Sequence, residues 1–258
     1  MIWVTGDVHN TVDFDKIYRF IDKRKREKTP VTENDIIIIA GDFGIPWVNE
    51  QYLIDNGIDF KEYPSFEKTK RTDEMLIKYL ESQKCTFLFV DGNHDLIPVL
   101  NALPEFEMFG APVGQLGINI FHLKRGYVYT INDKKVFTFG GAESIDKHYR
   151  TEHISWWKEE VPSMEEYDRA VENFLKVDNE VDFIITHTLP NSIIPLCGIK
   201  YLEDKRRDPT TMMLDNFYRD VKFKRWFCGH FHNDMNYYKF RLLYYDFVPM
   251  VEKETNYV

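Results

Sequence analysis

Asp35-Ile36-Ile37-Ile38-Ile39-Ala40-Gly41-Asp42 is the stretch on which the fold turns. Four β-branched residues followed by alanine leave no polar position for water. The run therefore reads as a strand covered on both faces, the kind found inside parallel sheets. It stops at Gly-Asp. Outward in both directions the same unit recurs. Met1 to Thr5 stops at Gly6-Asp7, and Thr86 to Val90 stops at Asp91-Gly92-Asn93-His94-Asp95. Val181 to Ile185 leads to Thr186-His187, and Lys224 to Cys228 leads to Gly229-His230-Phe231-His232.

Between these strands lie amphipathic segments. Phe14, Ile17, Phe20 and Ile21 recur at helical spacing, and Lys23-Arg24-Lys25-Arg26 would complement the dipole at that helix's end. Met75, Leu76, Tyr79 and Leu80 mark a second helix. Ser163-x-x-Glu166 is a capping box opening a third, with Tyr167, Ala170, Val171 and Phe174 on one face. Tyr127 to Ile131 and Val136 to Phe139 flank Asn132-Asp133 as a hairpin, and two aromatic strands occupy the region from Met235 to Val248. Strands and helices alternate early, and antiparallel strands are expected to dominate late. The class is α/β with mixed sheets, read as a single domain over residues 1–258.

Composition bounds the function. The 258 residues are 43% hydrophobic and 29% charged, as in a chain with a real core. The formal net charge of −9 argues against a nucleic-acid partner. Cys85, Cys197 and Cys228 show no paired spacing, so neither a disulfide framework nor a zinc ribbon is expected. No apolar run reaches bilayer length and the N-terminus lacks a signal-peptide pattern, so the expectation is a cytoplasmic protein without membrane partners.

The strand ends carry the chemistry. Five of the eight histidines fall in the terminal blocks, beside Asp7, Asp42 and Asn93. Gly-Asp after one strand is commonly just a turn, but five coincident clusters of ligand types converge where α/β sheets bind ligands. Asp and His suit borderline divalent metals such as Mn, Fe and Zn. Asp7 and His9, like His230 and His232, can project from one side of an extended backbone. The two oxygens of Asp42 could bridge a metal pair roughly 3.5–4 Å apart.

These blocks, in this order, resemble those of the calcineurin-like metallophosphoesterases. The resemblance implies a four-layer sandwich of two mixed β-sheets flanked by helices, with a dinuclear metal site at the strand C-terminal ends. It assigns one metal to Asp7, His9, Asp42 and His232, and the other to Asp42, Asn93, His187 and His230. His94 would steady the phosphoryl group and protonate the leaving oxygen, with Asp95 holding its imidazole, while a metal-bound hydroxide attacks phosphorus. The implied activity is hydrolysis of small phosphomonoesters or phosphodiesters. A nuclease and a non-catalytic scaffold are the alternatives. Protein Ser/Thr phosphatases carry Asp-Arg-Gly shortly after the second block, but here the sequence runs Gly41-Asp42-Phe43-Gly44-Ile45-Pro46-Trp47; their GNHE is Gly92-Asn93-His94-Asp95, and Asn10 stands where glycine is usual. A bacterial or phage-type phosphoesterase fits better than a protein phosphatase.

Other residues carry two readings each. Gly140 and Gly141 either line the substrate cleft with Asn93 or make a tight turn, and Arg150 either reaches a substrate phosphate or lies on the surface. His148 and His153 read as solvated, and Trp156-Trp157 as packed against the fold. Residues 44–66 form a candidate insertion for substrate selection or oligomer contact. Residues 140–162 and 195–210, the latter with Lys205-Arg206-Arg207, are candidate active-site loops. The oligomeric state is open.

Overall fold

The computed structural model describes residues 1–59, 63, 65–199 and 208–252. Phe60 and Lys205-Arg206-Arg207 lie outside the described residues. In chain order the elements are β1 (Ile2–Thr5), α1 (Asp15–Arg26), β2 (Ile36–Ala40), α2 (Glu50–Asp55), α3 (Phe66–Glu81), β3 (Thr86–Val90) and α4 (Ile97–Asn101). Then follow β4 (Glu105–Met108), β5 (Ala111–Gly117), β6 (Ile120–Leu123), β7 (Tyr127–Ile131), β8 (Lys134–Phe139) and α5 (Met164–Leu175). The chain continues through β9 (Phe183–Thr186), α6 (Pro209–Asp220), β10 (Arg225–Cys228), β11 (Met235–Tyr237), β12 (Phe240–Leu242) and β13 (Val248–Pro249).

Two mixed sheets result. The seven-stranded sheet runs β13-β1-β2-β3-β6-β5-β4, with β1, β2, β3 and β6 parallel. The six-stranded sheet runs β11-β12-β10-β9-β8-β7. The isoleucine run shows why two faces are buried. Ile36, Ile38 and Ala40 enter the core between the sheets beside Phe183, Ile185 and Phe227. Ile37 and Ile39 point the other way, against Ile17 and Ile21 of α1 and Leu76 and Leu80 of α3. The second sheet's outer face packs Phe137, Ile184 and Trp226 against Phe174 of α5 and Leu214 and Phe217 of α6. Helix, sheet, sheet and helix stack as four layers.

One expectation is corrected. The late strands are not mainly antiparallel: β8, β9, β10 and β12 are all parallel, while β7 and β11 at the edges of that sheet and β13 at the edge of the other reverse. The pairing partners lie far apart in sequence, so local pattern carries no sign of their direction. Within the candidate insertion, Asn49 caps α2 by accepting from the Tyr52 amide at 2.9 Å. Its Leu53 packs with Val48 and Phe66 in a small satellite core. Strands β4 to β6, which no expectation covered, extend the first sheet. The hairpin turn holds, with Asn132 and Asp133 both at positive φ as a primed turn requires. No helix among the described residues is long and apolar enough to cross a membrane.

Candidate metal centre and active site

Each parallel strand delivers its terminal block to one edge of the sandwich. Beyond β1 come Asp7 and His9; beyond β2, Asp42; beyond β3, Asn93 and His94. From the facing sheet, β9 delivers His187 and β10 delivers His230 and His232. The structure brings these residues together. His9 Nε2 lies 3.1 Å and His187 Nε2 3.2 Å from the same oxygen of Asp42. Asn93 Oδ1 lies 3.1 Å from both His187 Nε2 and His230 Nδ1, and those two nitrogens are 3.2 Å apart. Ligand atoms fall within 4.8 Å of one another in three sets: Asp7, His9 and His232; Asp7, Asp42 and His187; and His9, Asp42 and His94.

Such close approach needs tight backbone. Gly41, at φ +86°, lets the His187 ring lie directly against the chain, where any Cβ would overlap it. Gly92 does the same for the Asp42 carboxylate, whose Oδ1 accepts the His94 amide at 2.7 Å. Asp42 in turn offers its carbonyl to the amides of Val8 and His9, both at 2.8 Å, so the first two blocks are locked together.

Several outer contacts aim the ligands. Asp13 sits 2.9 Å from His9 Nδ1, which turns Nε2 toward the centre. Tyr244 donates to the other Asp13 oxygen at 3.1 Å and stacks on His232, with ring centroids 4.5 Å apart. Lys16, though buried, donates to the carbonyls of Gly6, Asp7 and Tyr244. His187 Nδ1 donates to the Ala40 carbonyl at 3.0 Å. Asn93 is oriented from behind: its amide nitrogen donates to Ser144 Oγ at 3.1 Å, and that hydroxyl donates to the buried Glu160 at 2.7 Å.

The electrostatics show what the cluster lacks. Burial would raise the Asp42 pKa, but His187 and His9 outweigh it and hold the carboxyl well below its usual range. Burial would lower His187, yet Asp42 and Asp7 push it up to about 10; His9 rises to about 9, again because Asp42 outweighs burial. His230 falls to about 3 through burial and the His187 charge. Asp7 is raised to about 7, chiefly by burial, and its Oδ2 is buried with no hydrogen-bond partner. Protons on imidazole are filling the space between acceptor lone pairs. A divalent cation could satisfy the same atoms, carboxylate oxygens, an amide oxygen and imidazole nitrogens, and would give the unpartnered Asp7 oxygen an ion to coordinate.

Two expectations change here. Asp95 does not hold the His94 imidazole. Its buried carboxylate accepts backbone amides from Phe43 at 3.3 Å and from Gly44 and Gly92 at 2.6 Å each, stapling the second and third blocks together. A carboxylate beneath three strand-end amides satisfies donors that nothing else reaches. His94 instead faces Arg150, whose guanidinium nitrogens lie 3.0 and 3.2 Å from its two ring nitrogens. Arg150 is braced by Asp146 at 2.8 Å and is not a free surface residue. Burial lowers the His94 pKa, and the Arg150 charge lowers it further.

Gly140 and Gly141 pack against Asp91 and Glu160, so that loop reaches the centre through Ser144. His153 pairs with the Tyr52 hydroxyl at 2.8 Å, and Trp157 is buried. Sequence reasoning missed Asp13, Lys16, Ser144, Glu160 and Tyr244. Of these only Asp13 carried a local signal, four residues after His9. Also missed was the fully buried ion pair of Asp91 with Arg125, which His122 joins at 3.1 Å and Glu166 extends.

Two facing mixed sheets with an acid and histidine cluster at their strand ends define a class: a four-layer α/β protein built around a candidate metal site. The chain belongs to the calcineurin-like phosphoesterase family, which matches residues 1–234. A comparison with curated proteins gave no match. The family is one of metal-dependent phosphoester hydrolases, and the acid and histidine cluster described above is where this chain could hold the metal.

Proposed function

We propose that the chain hydrolyses phosphoesters of small molecules at a pair of divalent cations. The observation that carries the reading is the convergence of acceptor atoms from Asp42, Asn93, His187 and His230 within 3.1–3.2 Å contacts, with Asp7 Oδ2 unpartnered beside them. Asp7, His9, Asp42 and His232 would hold one cation, and Asp42, Asn93, His187 and His230 the other, Asp42 being shared. Such a pair supplies Lewis acidity and water activation at neutral pH, with Mn, Fe and Zn all compatible with these ligands.

The remaining chemistry belongs to His94 and Arg150. Arg150 presents a planar cation to the phosphoryl oxygens, which it can bind in bidentate fashion. Burial and the Arg150 charge lower the His94 pKa, against the pull of Asp42. A phosphate anion bound by Arg150 offsets the guanidinium charge beside His94 and raises the imidazole's proton affinity. His94 Nε2 or Nδ1 then takes a proton from solvent and gives it to the departing oxygen, returning to neutral imidazole. Three buried, unpaired thiols favour a reducing compartment, the cytoplasm.

The test is hydrolysis of para-nitrophenyl phosphate and bis(para-nitrophenyl) phosphate with added Mn. Activity that falls by about 10²–10⁴ in His94→Ala, with metal content unchanged, supports the reading. Unchanged activity in that variant removes His94 from the chemistry.

A further inference from the structure

A cavity of about 620 Å³ opens directly from the centre. His9, His94 and His232 form its floor, Tyr244 and Trp47 stand on its walls, and Lys68 of α3 reaches its rim. A phosphoryl group bound at the floor leaves most of this volume empty, since cavities of roughly 300–1,000 Å³ suit whole ligands. Because His94 is in the floor, the empty part lies where the leaving group departs.

Its walls favour a flat ring. Trp47 is half-buried and rigidly placed: its amide donates to Asp73 at 2.9 Å, and its indole meets Trp157 edge-on at 5.7 Å. The Tyr244 ring is likewise fixed, on His232. Tyr244 already meets His232, Tyr245 and Lys16, so the ring contact falls to Trp47, a fixed aromatic wall that binds at low entropic cost. The charge on the rim is unmatched. Lys68 makes no ion pair among the described residues, while the acid of the cavity, Asp13, is already engaged by His9 and Tyr244.

Resting on the phosphoesterase reading, we infer that this cavity is a leaving-group subsite for phosphoesters of a planar aromatic group bearing a second negative charge. Trp47 supplies the ring contact and Lys68 the anion contact; both determine specificity and neither takes part in bond breaking.

Binding of phosphonates to the Mn-loaded protein, followed by calorimetry, separates this inference from the reading beneath it. Methylphosphonate probes the floor, phenylphosphonate adds the ring and 4-carboxyphenylphosphonate adds the charge. Phenylphosphonate should bind about tenfold tighter than methylphosphonate, the worth of one aromatic stack. Trp47→Leu, which keeps apolar bulk for the neighbouring core, should erase that preference while leaving methylphosphonate binding unchanged. The carboxylate should add about threefold, lost in Lys68→Ala and reversed in Lys68→Glu. Equal affinity for the methyl and phenyl compounds, or a preference that survives Trp47→Leu, overturns the subsite and leaves the phosphoesterase reading standing. Failure of methylphosphonate to bind at all overturns both.

Discussion

Asp7, His9, Asn10, Asp42, His230 and His232 all hold positive φ, between 36° and 68°, a region that costs most side chains of order 1–3 kcal/mol each. Asp, Asn and His are the types that enter it most readily, so the residues that can ligate a cation also tolerate the turns that aim them inward. The proton inventory at this scale yields a prediction. With His187 raised to about 10 and His9 to about 9, both are protonated at neutral pH in the cation-free protein. Cation binding must expel those protons, so apparent affinity for Mn rises with pH through pH 6–8. Calorimetry in buffers of differing ionisation enthalpy will register proton release; pH-independent affinity would contradict it. The outer contacts make a second. Tyr244→Phe frees Asp13 behind His9, and Ser144→Ala frees the amide of Asn93. Each should weaken the first or second cation by about 10-fold or more in a Mn titration, without unfolding the chain.

At the scale of elements, the capping box of α5 does double duty. Ser163 accepts the Glu166 amide at 3.2 Å, and Glu166 both returns to the Ser163 amide at 2.8 Å and pairs with Arg125. Ser163→Ala should cost about 1 kcal/mol in urea unfolding. Arg125→Met should cost about 3–5 kcal/mol, because Asp91 is then buried without its partner; a change under 1 kcal/mol would show the ion pair to be dispensable. The elements differed in how much of them the sequence displayed. The isoleucine run and the capping box were readable because burial on both faces and cap chemistry are local. In β5 the apolar pattern is broken by Pro112, Gly114 and Gly117, and in β4 Phe106 and Met108 alternate with the exposed Glu105 and Glu107. The acid and histidine cluster was legible for the same reason as the strands, since each of its residues closely follows a strand. Asp95 was not, because its partners are main-chain amides 51 and 52 residues earlier.

Across the whole molecule, the formal charge of −9 counts Asp7 and Asp42 as bare acids. On the proposed reading, two divalent cations against two ligand carboxylates would leave the centre about +2, which would draw a small phosphate dianion despite the acidic net charge. A long nucleic acid meets that net charge as well. Affinity for duplex DNA should therefore be weak and lack the steep salt dependence of a protein that neutralises many phosphates. The four-layer packing places all ligands on rigid strand ends of two sheets, so the centre depends on the sheets staying face to face. The most direct measurement is the number of divalent cations bound per folded chain, by elemental analysis after Mn loading and desalting, for the wild type and Asp42→Asn. Two per wild-type chain, falling to one or fewer in Asp42→Asn, is the predicted result. Fewer than one per wild-type chain, or two retained without the Asp42 carboxylate, would contradict a shared dinuclear centre.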